Sequence, residues 1–253
     1  MLRARSPGGE KNREVSRVHG PAAVEVGDAP AGHPAAGDGP AIEDLEDGPH
    51  AGISCESCHG LVPHPESTNP KLNDHVDRIA CQTCHIPRIA RGGVATRMTW
   101  DWSSAGKLDE DGKPIERKVD GNLVYSSKRG EITYAENINP EYIWFNGKVR
   151  YQLLTEKVIF SDDGHVLVNE FEGSPYDGES RTWPVKVFRG VQPYDPVNQT
   201  LVVPHTTGSD KASYWKNFDW QKAVAAGMKS AGLPFSGQVD FVKTQMSWLI
   251  NHM

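Results

Sequence analysis

Two copies of one cysteine motif constrain this chain more than any other feature of its sequence. The first copy is Cys55, Cys58 and His59, and the second is Cys81, Cys84 and His85. Each reads Cys-x-x-Cys-His, which is the attachment signature of a c-type haem. The two thiols can form thioether bonds to one porphyrin, and the histidine that follows can bind the iron. The sequence therefore predicts two covalent haems c, with His59 and His85 as their proximal ligands.

The same four cysteines also fit other uses of paired cysteines. Their spacing, Cys-x2-Cys-x22-Cys-x2-Cys, is close to that of a four-thiolate zinc ribbon. A redox-active dithiol and a pair of disulfides are further alternatives. The histidine that follows each motif favours haem over these alternatives. With 10 histidines in 253 residues, a histidine directly after both motifs would arise by chance in roughly 1 case in 600. A zinc ribbon does not need these histidines.

Each haem iron can take a sixth ligand from the protein. Three further histidines lie near the motifs: His64 follows the first, His75 precedes the second, and His50 stands before Cys55. Axial ligation by histidine is a common haem arrangement, so we expect the distal ligands to come from these three. The spacing does not indicate which histidine faces which iron.

Three basic residues lie near aromatic residues and are candidates for binding the haem propionates: Arg150, Lys186 and Arg189. A guanidinium group matches a carboxylate in a two-bond fork. The alternative is that these three are solvated surface charges.

Composition restricts the partners and the location. A net charge of −6 and a pI near 5.9 argue against a nucleic-acid partner. The sequence contains no apolar run long enough to span a membrane. Thioether attachment of haem takes place outside the bacterial cytoplasm, so we expect a periplasmic protein. The N-terminal residues lack the hydrophobic core of a signal peptide, so the signal either lies upstream in a longer gene product or this start is not the true one.

Changes in composition divide the chain into four parts. We expect residues 1–48 to be a disordered tail, because a segment rich in Gly, Pro and Ala buries too little apolar area to offset its ordering entropy. Residues 49–92 are the dihaem-binding segment, with a short helix capped by Asn73 or Asp74. Residues 93–205 are a β-rich insertion, and residues 206–253 are a helical segment that ends while still periodic, as if truncated.

Tight-turn dipeptides and apolar periodicity predict the elements of the last two parts. Four dipeptides predict tight turns: Asp111-Gly112, Asp120-Gly121, Asn146-Gly147 and Asp163-Gly164. The last two are each flanked by apolar runs and predict hairpins. A helix is expected from Asp219 to Gly232, and a second one after Ser236. The apolar face of the second helix would comprise Val239, Val242, Met246, Leu249 and Met253. The predicted fold class is a multihaem cytochrome c, with a haem-organised irregular and helical segment, a β-hairpin-rich insertion and C-terminal helices.

Several segments, in order, resemble one known family. GISCESCHG, HVDRIACQTCHIP, NPEYIWFNGKVRY, RGVQPYDPVNQTLVVPH and GLPFSGQVDFVKTQMSWLINHM look like the C-terminal half of octahaem tetrathionate reductase-type cytochromes c. The resemblance covers roughly residues 49–253 of the chain. It implies a periplasmic multihaem protein whose relatives reduce tetrathionate, nitrite and hydroxylamine. It also implies redox partner proteins and the other haem domains of a longer chain as partners.

The chain also departs from that family. The family carries eight haem motifs and a catalytic haem with a lysine ligand, whereas this sequence shows two motifs and none of the lysine type. No catalytic residue is therefore assigned, and whether the chain is itself an enzyme stays open. We expect electron transfer between two haems. The alternatives are a haem with an open site that reduces a small oxyanion or sulfur compound, and a four-cysteine zinc-binding structural or interaction module.

Overall fold

The computed structural model describes residues 62–64 and 71–250, all of which belong to one compact unit, Ile53–Met253. The predictions made for residues 1–48 and for His50, Cys55, Cys58 and His59 lie outside the described residues.

The helices are short, with one exception. They are α1 (Lys71–Asp74), α2 (Cys81–His85), a 3-10 turn (Trp102–Ser104), α3 (Tyr214–Asn217) and the 12-residue α4 (Trp220–Ala231). The sequence predicted one helix across α1 and α2, capped by Asn73 or Asp74. The structure instead has two helices joined by a turn, in which the backbone N–H groups of Arg78 and Ile79 donate to the carbonyl of His75.

Strands dominate the rest of the described chain. They are β1 (Thr96–Asp101), β2 (Glu116–Val119), β3 (Asn122–Ser126), β4 (Gly130–Ala135), β5 (Glu141–Phe145), β6 (Val149–Tyr151), β7 (Val166–Leu167), β8 (Asn169–Phe171), β9 (Arg181–Asp195), β10 (Thr200–Leu201) and β11 (Asp240–Leu249). The structure as a whole is therefore mainly β-sheet with few helices.

Strand β9 is the centre of the main sheet. Within residues 71–250, nine strands form this sheet in the order β2-β3-β4-β1-β9-β11-β7, with β5 and β10 also paired to β9. Along one edge β9 pairs antiparallel with β11, and along the other it pairs first with β5 and then, in parallel, with β1. β6 and β8 form a separate antiparallel pair. Any element attached to β9 is thus held by the most extensively paired strand.

The two predicted hairpins have different outcomes. Around Asp163-Gly164 the chain turns back as predicted, with a β-bridge between Phe160 and Val166. The prediction of a hairpin around Asn146-Gly147 is wrong. β5 and β6 lie on either side of the turn, but β5 pairs with β9 and β6 pairs with β8. Five register pairs with β9 give β5 a longer ladder than the three-residue β6 could offer.

The C-terminal segment is half helical and half strand. Helix α4 is confirmed with both of its expected ends, because the Asp219 side chain accepts from the Lys222 N–H and Gly232 closes the helix at a φ of 68°. The second helix is wrong, because residues 240–249 form strand β11. Val242 and Thr244 are buried as alternate residues of a strand. Five apolar residues also fit a helical repeat, but ten register pairs with β9 decide the conformation.

The apolar core lies in two clusters against the sheet. One contains Val158, Val166, Leu201 and Val242, with Tyr194 packed against it. The other packs α4 onto the chain after β10 and contains Val202, Val224 and Met228. The first cluster thus joins β7, β10 and β11, and the second joins α4 to the chain after β10.

Candidate haem-binding site

Helix α2 presents the second cysteine motif on one face. Cys81, Cys84 and His85 are at positions i, i+3 and i+4, which are neighbours on a helix surface. Both cysteines are free thiols, and Cys84 and His85 are exposed while Cys81 is half-buried. A flat cofactor lying against this face can therefore reach both sulfurs and the imidazole.

Helix α2 is anchored directly to strand β9. Ile79 forms a parallel β-bridge with Thr182, and the backbone N–H of Ala80 donates to the Thr182 carbonyl over 3.1 Å. The Thr83 hydroxyl donates to the same carbonyl oxygen over 2.8 Å. Ala80 and Ile86, on either side of the helix, are 1% and 7% exposed. These contacts bury the flanks of the motif and leave its reactive face outward.

His64 lies beside His85, although 21 positions separate them in the sequence. Their ring centroids are 6.0 Å apart and the ring planes differ by 9°. Of the three predicted distal ligands, His64 is the one that the structure places against a proximal histidine within the described chain. For His75 the structure gives backbone hydrogen bonds in the turn after α1, and His50 lies outside the described residues.

The Asn73 side chain holds His64 through three polar contacts. The His64 backbone N–H donates to Asn73 Oδ1 over 3.3 Å, and Asn73 Nδ2 donates to the His64 carbonyl over 3.2 Å. His64 Nδ1 lies 3.2 Å from the same Oδ1. The sequence assigned Asn73 only a possible capping role. An asparagine nine residues after a histidine is no known motif, so no sequence signal indicated this contact.

Two of the three candidate propionate partners are already paired with carboxylates. Arg150 lies 2.8 Å from Glu170, and Arg189 lies 3.4 Å from Glu141. The hydrogen bond that Arg150 donates to the Glu170 carboxylate raises the pKa of Arg150 above its ordinary value. Each arginine is thus paired with a carboxylate on a neighbouring strand, Arg150 in the β6–β8 pair and Arg189 in the main sheet, rather than held for a further anion.

Lys186 has a different environment. Its ammonium group donates to Thr96 Oγ1 over 2.6 Å. Burial lowers the pKa of Lys186, and the charge of the nearby Arg97 lowers it further. Arg97 in turn lies over the rings of Trp100 and Tyr134. Of the three candidates, Lys186 is therefore the one whose ammonium group pairs with no carboxylate in the part of the chain that the structure describes.

The described part of the chain does not test the zinc alternative. Residues 62–64 and 71–250 contain no cluster of three or more His, Cys, Asp or Glu side chains that could hold a metal ion. A four-thiolate site would also need Cys55 and Cys58, which lie outside these ranges. At the hairpin turn, Asp163 Oδ2 lies 3.0 Å from His165 Nδ1.

A free thiol pair and an exposed imidazole on one helix face, beside a second imidazole, are the features of a c-type cytochrome. Comparison with known families agrees, because residues 97–253 match the model of the bacterial cytochrome c family. The chain belongs to that family, which implies covalently attached haem c and a role in electron transfer.

The structure is also similar to the crystal structure of an octahaem cytochrome c from Shewanella oneidensis. The two share 35% sequence identity and a TM-score of 0.66, and the match covers 79% of this chain and 45% of that one. The chain therefore spans a little under half of the length of that protein. No curated protein matches the chain.

Family membership is consistent with a location outside the bacterial cytoplasm, where c-type cytochromes are matured. Among the helices of the described residues, none is long and apolar enough to cross a membrane.

Proposed function

We propose that the chain binds two covalent haems c and transfers electrons within a periplasmic multihaem protein of the octahaem tetrathionate reductase type. The single observation that carries this proposal is the pairing of His64 with His85 beside the free thiols of Cys81 and Cys84. The family match and the similarity to an octahaem cytochrome support it.

The separation of the two imidazole rings would allow both of them to bind one iron. A metal–nitrogen bond of about 2.0 Å on each side, with about 1.1 Å from nitrogen to ring centre, separates two such rings by about 6 Å. The observed centroid distance is 6.0 Å and the rings are nearly parallel. Two imidazoles on opposite faces of a porphyrin are a common arrangement in haem proteins.

The residues of the second motif then have distinct roles. Cys81 and Cys84 would hold the porphyrin through thioether bonds, His85 would be the proximal iron ligand, and His64 the distal one. A bound haem would supply an iron that carries one electron at a time. Two imidazole ligands from the protein would favour electron transfer over binding of a small substrate.

We assign the same roles to the first motif from its sequence alone. Cys55 and Cys58 would attach the second haem and His59 would be its proximal ligand, with His75 or His50 as the distal ligand. No residue of this chain is proposed as catalytic. Reduction of tetrathionate, nitrite or hydroxylamine is proposed for an assembly that includes further haems, with which this chain and its redox partner proteins would exchange electrons.

The test is to produce the chain in the periplasm of a host that attaches haem c, and to measure its intact mass and its pyridine haemochrome spectrum. We expect two haem additions in the wild type. The double variant Cys81→Ala/Cys84→Ala is expected to carry one haem. Its matched control, Cys55→Ala/Cys58→Ala, is expected to carry one haem as well, and to keep a low-spin spectrum.

Two outcomes would overturn the proposal. A colourless product that contains zinc and no added mass would establish the zinc module instead. A haem at Cys81 and Cys84 that binds cyanide or nitrite rapidly in the wild type would indicate an open iron, and would replace electron transfer by substrate reduction at that site.

A further inference from the structure

We propose that Asn73 is a positioning residue that selects the tautomer and the orientation of His64, so that Nε2 is the atom presented to the iron. This inference rests on the proposed function, in which His64 is the distal ligand. Asn73 and His64 both lie outside the two Cys-x-x-Cys-His motifs.

The two backbone groups of His64 determine which way the Asn73 amide points. The His64 N–H can only donate, so it faces the amide oxygen Oδ1, at 3.3 Å. The His64 carbonyl can only accept, so it faces the amide nitrogen Nδ2, at 3.2 Å. Reversing the amide would place two donors together at one end and two acceptors at the other. The orientation of Asn73 is therefore defined by the backbone.

The amide orientation in turn defines the protonation of the imidazole. Oδ1 has no hydrogen to give, and it lies 3.2 Å from His64 Nδ1. A favourable contact thus requires the proton to be on Nδ1, with Asn73 as its acceptor. In neutral histidine the other nitrogen, Nε2, then carries the free lone pair. This is the arrangement that metal-binding histidines adopt when an outer partner fixes their ring.

The contact also connects the distal ligand to the proximal one. Asn73 is in helix α1, and a short turn whose N–H groups donate to the His75 carbonyl leads from α1 towards α2 and His85. Among the described residues, the Asn73 amide makes three polar contacts to His64. These contacts hold the His64 ring beside His85. Their loss should free the ring to leave the iron.

A set of four single variants in the full haem-loaded chain tests this role. They are Asn73→Ala, Asn73→Asp, Leu72→Ala and His64→Ala. Leu72 is the neighbouring α1 residue with an exposed side chain, so its truncation controls for effects on the helix without a change in charge. The readouts are the low-spin fraction of the haem at Cys81 and Cys84, carbon monoxide binding by the reduced protein, and its reduction potential.

We expect Asn73→Ala to weaken His64 binding by about 10- to 100-fold, the usual effect of removing an outer partner of a metal ligand. Carbon monoxide would then bind one haem, which is also the result expected for His64→Ala. Asn73→Asp keeps an acceptor for the Nδ1 proton and should stay low-spin. Its reduction potential should fall below that of the wild type, because a carboxylate makes the imidazole a stronger donor. Leu72→Ala should match the wild type in all three readouts.

The outcomes separate this inference from the proposed function. If Asn73→Ala and Leu72→Ala behave alike while His64→Ala binds carbon monoxide, the positioning role is overturned and the ligand pair stands. If His64→Ala leaves the spectrum of the haem unchanged, the ligand pair is overturned and the inference fails with it. A loss of folding in Asn73→Ala would show as a melting temperature below that of Leu72→Ala, and Asn73→Asp then decides through its reduction potential.

Discussion

The carboxylate of Asp195, at the end of β9, offers a test of what holds the sheet together. Asp195 is fully buried, with 0% exposure. Its Oδ1 accepts from the N–H groups of Val197 and Asn198 and from the Ser236 hydroxyl, over 3.0, 2.9 and 2.7 Å. Its Oδ2 accepts from Asn198 Nδ2 and the Ser236 N–H, over 2.9 and 2.7 Å. One side chain thus connects the turn after β9 to the segment before β11.

We expect Asp195→Asn to destabilise the protein by about 3 kcal/mol. The asparagine amide keeps only one acceptor oxygen and has an NH2 group in place of the other. In either orientation its NH2 group faces at least two of the five donors. Each buried donor left without an acceptor costs about 1–3 kcal/mol. For a domain of this size, a loss of about 3 kcal/mol lowers the melting temperature by about 6–12 °C.

The measurement is thermal unfolding of the haem-loaded protein, with Asp162→Asn as the matched control. Asp162 is an exposed aspartate in the turn before Gly164, so the control makes the same chemical change without burial. The control is expected to unfold within about 1 °C of the wild type. If Asp195→Asn unfolds at the temperature of the control, the assignment of Asp195 as a structural connection is refuted.

The pH dependence follows from the same contacts. Burial raises the pKa of Asp195, but the hydrogen bonds from Asn198, Ser236 and Val197 outweigh it, so the pKa lies below the ordinary value of 3.8. A depressed pKa means that the stabilisation is fully present above 3.8 and is lost as the pH falls through the lower folded-state value. The stability difference between wild type and Asp195→Asn should therefore be constant near neutral pH and shrink below 3.8.

Two further predictions concern close packing and the attachment helix. Gly227→Ala should cost about 3 kcal/mol in denaturant unfolding, because the new Cβ would lie 1.9 Å from the Val203 carbonyl oxygen. Gly232→Ala, with a φ of 68° and nothing within 4 Å, should cost about 1 kcal/mol; equal costs would contradict the packing argument. Thr83→Val should lower stability by about 1 kcal/mol through loss of the hydroxyl contact to Thr182. Its haem content should equal that of the wild type, and a loss of haem would show that this contact is needed for attachment.

Local patterns in the sequence predicted the elements whose ends are set by neighbouring residues. The Asp120-Gly121 turn joins β2 to β3 with φ angles of 49° and 78°, as that dipeptide favours. Helix α4 begins at an aspartate cap and ends at Gly232. In both cases the deciding interactions span four residues or fewer, so they can be read directly along the chain.

Long-range pairing overrode local patterns at two places. Strand β11 has apolar residues at helical spacing, yet its backbone pairs with β9 from Asp240↔Tyr194 to Leu249↔Val185. Strand β5 leaves its neighbour β6 for the same partner, β9. The sequence of β5 or β11 alone does not indicate pairing with a strand more than 30 residues away, because the partner strand supplies half of the hydrogen-bonding groups.

The candidate site divides in the same way. The sequence by itself determined the covalent chemistry proposed for the second motif, because Cys81, Cys84 and His85 lie within one helical turn and their spacing alone places them on one face. Only the tertiary structure decided that His64, rather than His75, lies beside His85, and that Asn73 holds it. These contacts join residues separated by 9 to 21 positions, and such approaches depend on how the intervening chain folds back rather than on the identity of the residues that meet.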